Sequence, residues 1–277
     1  MCALVSVISI LSGMCDPDKF RELLDEAGKL GSDIVCFQEG MNYVANNPWK
    51  SEPVPGPTIN LVAEKAKEYG MYAIAPVLEQ RDDLLYNTAV IIDRRGQIIG
   101  KYEKTHLTLG EAWGKVKVGE NLPVFKTDFG RIAVLICMDI HFPEIARVYA
   151  LKGAQLLFFP GSCHGFSQLD YETMFRALMI DNCMYGAIAN TLLPDLPPYS
   201  SSTVMRTVIV AHDGHIIAGK VAPWSVTSAK IDLDNVPVIK DGETTIGLRE
   251  CLLKSRRPEL YKICLLYTSP SPRDRTR

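Results

Sequence analysis

The chain has 277 residues, 47% of them hydrophobic and 22% charged, which is ample material for a sizeable core in one large domain or two small ones. Lys and Arg total 30 against 32 Asp and Glu, a formal net charge of -2 with no long run of either sign, and this argues against a nucleic-acid partner or an anionic membrane surface. The eight cysteines, at positions 2, 15, 36, 137, 163, 183, 251 and 264, form no C-x-x-C pair, which speaks against a zinc site or a disulfide framework and for a reducing, cytoplasmic setting.

The opening MCALVSVISI lacks a basic n-region and a small-residue cleavage site, so Leu4–Ile10 reads as a first core strand rather than a signal peptide. No apolar stretch approaches the roughly 20 residues of a membrane-spanning helix. The pattern then predicts a helix over Pro17–Leu30, a strand over Asp33–Phe37, a helix over Thr58–Tyr69 and a strand over Met71–Val77. Strands at Thr88–Ile92 and Ile98–Tyr102 follow, and then Ile132–Ile136, a helix at Pro143–Leu151, a strand at Gln155–Phe159, a helix at Tyr171–Cys183 and a strand at Gly186–Asn190. The segments NTAVIIDRRGQIIGKYEK and TVMRTVIVAHDGHIIAGKV echo each other as strand, Gly-containing turn, strand, so each half of the chain carries one hairpin. Two similar halves of alternating strands and helices predict an α/β fold with two mixed sheets face to face and helices outside, a four-layer α-β-β-α sandwich with no linker to divide it. Long loops at Met41–Pro57, Thr105–Pro123 and Thr191–Ser202 are the candidates to shape a pocket.

Chemistry concentrates where apolar runs stop. The run Ile132–Ile136 reads as a strand covered on both faces, and Cys137 follows it directly; Pro143 and Glu144 then signal a helix start. The thiol thus sits at a strand-to-helix switch, where ligands bind in open α/β sheets and where a helix N-terminus favours thiolate. SDIVCFQEG places Glu39 after an apolar run in the same way, and IIGKYEKTHL places Lys104 at the end of a hairpin strand.

These motifs, in this order, resemble those of the nitrilase superfamily of carbon–nitrogen hydrolases. The resemblance spans Leu4 to about Tyr261 and is supported by PVFKTDFGRIAV before the cysteine, YETMFRALMIDN after it and RRPELY near the end. It implies that Cys137 is the nucleophile and that Glu39 is the general base and acid. Lys104 and the backbone N–H of Met138 would be the oxyanion donors, with Glu111 a second glutamate that positions substrate and water; Glu120 is the alternative for that last role. Glu172 resembles a family position that supports the site from behind, and Glu144, grouped with it, caps or pairs locally rather than reacting. The implied substrate is a small amide, cleaved without metal or cofactor, and the implied assembly is a homodimer or larger homo-oligomer. True nitrilases carry Trp-Glu after the nucleophile; Met138-Asp139 fits the amidase-like branches at Asp139, whereas Met138 replaces their aromatic residue. Nitrile or N-carbamoyl hydrolysis on the same site is the alternative.

Two rival readings stand beside this one. GSCHG, Gly161 to Gly165, is a cysteine version of a nucleophile elbow, with Cys163 as nucleophile and His212 or His215 as base. A non-catalytic binding or regulatory protein on the same scaffold is the other, and the filled Glu, Lys and Cys positions count against it. Cys264 to Asp274 resembles the in-frame translation of a sequencing-library adapter, so residues 1–263 are expected to form the hydrolase domain and 264–277 a non-native or disordered tail.

Overall fold

The computed structural model describes residues 1–11, 14–43, 50–162, 168–191 and 207–261. The chain divides into two compact units, Met1–Val236 and Pro237–Arg277.

In the first unit β1 (Cys2–Ser9), α1 (Pro17–Lys29), β2 (Ile34–Cys36), α2 (Pro57–Tyr69) and β3 (Tyr72–Arg81) alternate, and the hairpin β4 (Leu84–Ile92) and β5 (Ile98–Glu103) follows. After α3 (Leu109–Trp113), β6 (Val116–Lys117) and β7 (Phe125–Lys126) the pattern repeats: β8 (Arg131–Val134), α4 (Pro143–Leu151), β9 (Leu156–Gly161), α5 (Gln168–Asn182), β10 (Tyr185–Asn190) and the hairpin β11 (Thr207–Val210) and β12 (Ile216–Lys220). The echo seen in the sequence is a repeat of topology. β1, β2 and β3 pair in parallel and lead into the antiparallel β4 and β5, as β8, β9 and β10 lead into β11 and β12. Each repeat gains one antiparallel neighbour on its first strand, β13 (Ser225–Asp232) on β1 and β7 on β8.

Two mixed sheets result, ordered β13-β1-β2-β3-β4-β5 and β12-β11-β10-β9-β8-β7, with β6 paired to β4. They meet face to face: Ser9 Oγ donates to Asn190 O at 2.9 Å, and Thr207 and Thr227 share a buried hydroxyl contact at 2.6 Å. The outer face of the first sheet is covered by Phe20, Leu23 and Leu24 of α1 and by Ile59, Val62 and Ala66 of α2, packed on Val35, Ala73, Ala75, Val90 and Ile92. α4 and α5 pack together outside the second sheet, Phe175 of α5 stacking on Phe159 of β9 with ring centroids 5.7 Å apart. The expected four-layer sandwich is therefore the fold. Its central strands are buried on both faces, and this is why they read as unbroken apolar runs.

Pro76 lies inside the central strand β3, where a missing N–H would normally cost a ladder bond. Its carbonyl accepts from Met41 N, beyond the last β2–β3 pair at Cys36 and Ile74, so the proline nitrogen faces the side where β2 has already ended. The second unit, in its described part, has a two-stranded antiparallel ladder of β14 (Val238–Asp241) and β15 (Thr244–Gly247), then α6 (Leu248–Lys254). No described helix is long and apolar enough to cross a membrane.

Candidate active site

β2 stops at Cys36, and the chain runs on through Phe37, whose N–H still donates to Ile74 O at 3.1 Å, to deliver Glu39 buried at 5% exposure. Gly40 then turns with φ +73, and a Cβ there would lie 2.3 Å from the Tyr43 ring, so only glycine fits. The loop is pinned by Asn42, whose amide accepts from Leu78 N at 2.9 Å and donates to Leu78 O at 3.0 Å, as a strand neighbour would. Lys104 follows β5 directly, its N–H bonded to Asn87 O at 2.9 Å and its side chain 1% exposed.

Glu111 comes from α3, a short helix inside the Thr105–Pro123 segment whose sequence reads as a loop. Thr108 caps this helix reciprocally: its Oγ1 accepts from Glu111 N at 3.2 Å, while Glu111 Oε2 accepts from Thr108 N at 2.8 Å. The cap aims the carboxylate inward. Lys104 Nζ donates to Glu39 Oε1 at 2.8 Å, to Glu111 Oε2 at 2.9 Å and to Glu111 Oε1 at 3.0 Å. Asn87 Nδ2 donates to Glu39 Oε1 and to Glu111 Oε1, both at 2.7 Å, and the Ser162 N–H from the end of β9 reaches Glu39 Oε2 at 3.0 Å.

Two carboxylates thus surround one buried ammonium. Burial disfavours the charge on Lys104, but the negative charges of Glu39, Cys137 and Glu111 outweigh it and hold the lysine well above its usual range. Burial likewise opposes ionisation of Glu111, yet Lys104 and the Asn87 hydrogen bond prevail and lower its pKa. A depressed carboxylate contributes stability that is complete above the ordinary value of about 4.3 and lost as pH falls through the folded-state value. Glu111 therefore favours folding at neutral pH, and its contribution is lost in acid.

Cys137 opens a 3-10 turn, Cys137–His141, between β8 and α4. It is 7% exposed and held at φ +47, a left-handed conformation that costs a non-glycine residue and is found where function fixes geometry. The turn is tied to β5 by Asp139, which is fully buried. Asp139 Oδ2 accepts from Tyr102 OH at 2.7 Å and Ile136 N at 2.9 Å, while Oδ1 accepts from His106 N at 3.0 Å and Thr105 Oγ1 at 3.1 Å. One carboxylate thereby links the strand end carrying Lys104 to the turn carrying Cys137. An Asn in its place offers an NH2 to groups that are themselves donors, so Asp139→Asn is expected to destabilise the fold by about 2–4 kcal/mol. Urea unfolding measures this, and a change within about 0.5 kcal/mol would show that the network is dispensable.

Met138 is half-buried as the second residue of the turn, and Glu172 is buried on α5. Glu144 departs from its expected supporting place: it is exposed in the first turn of α4, and none of the cluster's hydrogen bonds reaches it. Pro143 starts the helix, and the carboxylate stands in solvent near its positive end. Glu120 is also exposed. His212 lies in the β11–β12 turn, edge-on to Tyr185, and His215 is exposed there, whereas Cys163 and His164 lie outside the described residues. Asn87 carries no signal in the sequence, and Asp139 enters there only as the match to the amidase-like branches; Thr108-Leu109-Gly110-Glu111 carries the T-x-x-E capping signature that places Glu111 on a helix.

The Carbon-nitrogen hydrolase family model matches residues 18–241. Omega-amidase NIT2-A of Xenopus laevis is 31% identical over 255 residues, covering 87% of this chain and 89% of the relative. Beta-ureidopropionase of Arabidopsis thaliana is 36% identical over 162 residues, 53% of this chain and 40% of that protein. Among solved structures, a carbon-nitrogen hydrolase from Helicobacter pylori G27 superposes with a TM-score of 0.78 at 22% identity, covering 96% of this chain and 99% of the other. The amidase from Nesterenkonia sp. AN1, in a structure showing covalent addition of the acetamide moiety of fluoroacetamide at its active site cysteine, gives a TM-score of 0.75 at 17% identity over 94% and 95%. The two structures establish the fold, and the family match over most of the sequence goes further: the chain belongs to the carbon–nitrogen hydrolase family.

Proposed function

We propose that this protein hydrolyses the carbon–nitrogen bond of a small amide through a thioester on Cys137. The observation that carries the reading is the buried cluster of Glu39, Lys104 and Glu111, within electrostatic range of a cysteine held at φ +47 on a strand end. Glu39 takes the thiol proton as sulfur attacks the carbonyl carbon, and the C=O electron pair moves onto oxygen. The oxyanion is met by Lys104 Nζ and by the Met138 N–H, one of the donors that a helix start leaves without an intrahelical partner. The three hydrogen bonds of Lys104 all go to carboxylates, so contact with the oxyanion replaces one of its two bonds to Glu111 while the other persists.

Collapse breaks the C–N bond, and the proton held by Glu39 leaves on ammonia or an amine. Water then gives a proton to Glu39 and attacks the thioester; the C–S bond breaks, the proton returns to sulfur, and the carboxylic acid departs and ionises in solvent. Glu111, fixed by its helix cap and by Asn87, orients substrate and water. The similarity to an omega-amidase supports an amide, and that to a beta-ureidopropionase supports a ureido acid as a second reading on the same machinery. The proposal also includes a homodimer or larger assembly in a reducing, cytoplasmic setting; sedimentation equilibrium measures the first.

Ammonia release from a matched panel of amides, ureido acids and nitriles tests the reaction type. The amide is expected to exceed its nitrile by at least about tenfold in kcat/KM, or about 1.4 kcal/mol of transition-state binding. A nitrile first gives a thioimidate, which needs extra protons delivered to nitrogen rather than an oxyanion donor. A tenfold preference for the nitrile would reverse the assignment.

A further inference from the structure

Asn87 lies on β4, 1% exposed, with its amide nitrogen shared between Glu39 Oε1 and Glu111 Oε1. The same two oxygens are also bridged by Lys104 Nζ, so each Oε1 receives one charged and one neutral donor. The next residue, Thr88, points its hydroxyl to Glu79 at 2.9 Å, and strand alternation sends Asn87 to the opposite face. Turning the amide over would aim its oxygen at two carboxylate oxygens, so the carboxylates dictate its orientation. That orientation leaves Asn87 Oδ1 buried without a hydrogen-bond partner among the described residues, a cost that an aliphatic residue filling the same space would avoid.

We propose that Asn87 is a positioning residue of the hydrolysis, a neutral double donor that holds the Glu39 and Glu111 carboxylates at fixed separation around Lys104. This rests on reading Glu39 as the general base. Two carboxylates sharing one ammonium repel each other, and without a further donor one of them tends to keep a proton. A second cation would tie both carboxylates down as ion pairs. An amide compensates without adding charge. The titratable groups that bear on this arrangement are Glu39 after β2, Tyr43 in the loop beyond it, Lys104 after β5, Glu111 on α3 and Cys137 after β8.

The test is the pH profile of kcat/KM for Asn87→Ala and Asn87→Asp, read beside their melting temperatures. Loss of a hydrogen bond to the charged forms raises carboxylate pKa values, so the acid limb of Asn87→Ala is expected to move up by about 0.5–1 pH unit. Asn87→Asp adds a third carboxylate and is expected to move it by at least about one unit, with rates at neutral pH falling roughly 10- to 100-fold, chiefly in kcat. The pH dependence of iodoacetamide labelling of Cys137 reads the same shift without turnover, and Asn87→Ser supplies a third variant should either of the others fail to fold. A uniform fall across pH with the limb unmoved, or unchanged rates, would overturn the positioning role. An active Glu39→Gln would instead overturn the reading of the base, whereas an inactive Glu39→Gln beside unshifted Asn87 variants would remove Asn87 alone.

Discussion

Cys137→Ala is expected to fold and to lose at least ~10⁴-fold in kcat/KM, because Cys137 is, among the described residues, the thiol within electrostatic range of Lys104 and so the one placed to form the covalent intermediate. The fold should survive. Alanine accepts φ +47 no worse than cysteine, both being residues with a Cβ in the left-handed region, and the lost sulfur leaves only a small void. Two of the other thiols are poor nucleophiles for a physical reason: burial pushes the fully buried Cys36 thiol well up, and burial raises Cys15 as well. Single-turnover mass spectrometry should place the acyl group on Cys137 in the unaltered protein. An adduct on Cys163, or a Cys137→Ala variant with near-normal rates, would transfer the chemistry to the GSCHG elbow and retire the present assignment.

The strand ends were legible because the fold buries its central strands on both faces. β2 and the Ile132–Ile136 segment have no solvent side, so their sequences are unbroken apolar runs, and the residues that follow each run mark where the sheet opens. Glu39 and Cys137 were found by that rule. The duplication was legible for a similar reason, since both hairpins carry the same strand, turn, strand rhythm.

What stayed hidden depends on contacts between distant parts of the chain. β13 pairs with β1 across more than two hundred residues, Cys2 facing Asp232, and its own segment SVTSAKID mixes polar and apolar residues without announcing a partner. Asn87 heads the apolar run NTAVII and looks like an ordinary strand start; its importance arises only when β2, β5 and α3 bring two carboxylates to its amide. Asp139 is similar in part: the sequence offers it as a mark of the amidase-like branches, and its bracing role arises only when Tyr102, Thr105 and His106 converge on it. Glu144 is the opposite case: grouped with the site's supporting residues, it has a sufficient explanation in the first turn of a helix, the local role that its place after Pro143 signals.

Glu39→Gln and Lys104→Ala should each lower kcat by at least ~10²-fold, the scale of a general base or an oxyanion donor, but they should differ in stability. Glutamine keeps the shape of Glu39 and one oxygen to receive Lys104, so the cost is one mismatched hydrogen bond among the three donors of Lys104, Asn87 and Ser162. Lys104→Ala removes the cation that, among the described residues, is bonded to both buried carboxylates, which is expected to cost about 3–5 kcal/mol or to force a proton onto one of them. Its stability loss should therefore shrink in mild acid, where protonation relieves the repulsion, whereas that of Glu39→Gln should not. Lys104→Arg is not expected to rescue, since a planar fork cannot replace a compact ammonium at a position 1% exposed and bonded on three sides. Chemical denaturation of each variant at neutral and mildly acidic pH, with kcat measured on the folded fraction, separates the two effects. Near-normal turnover in either variant would remove that residue from the mechanism.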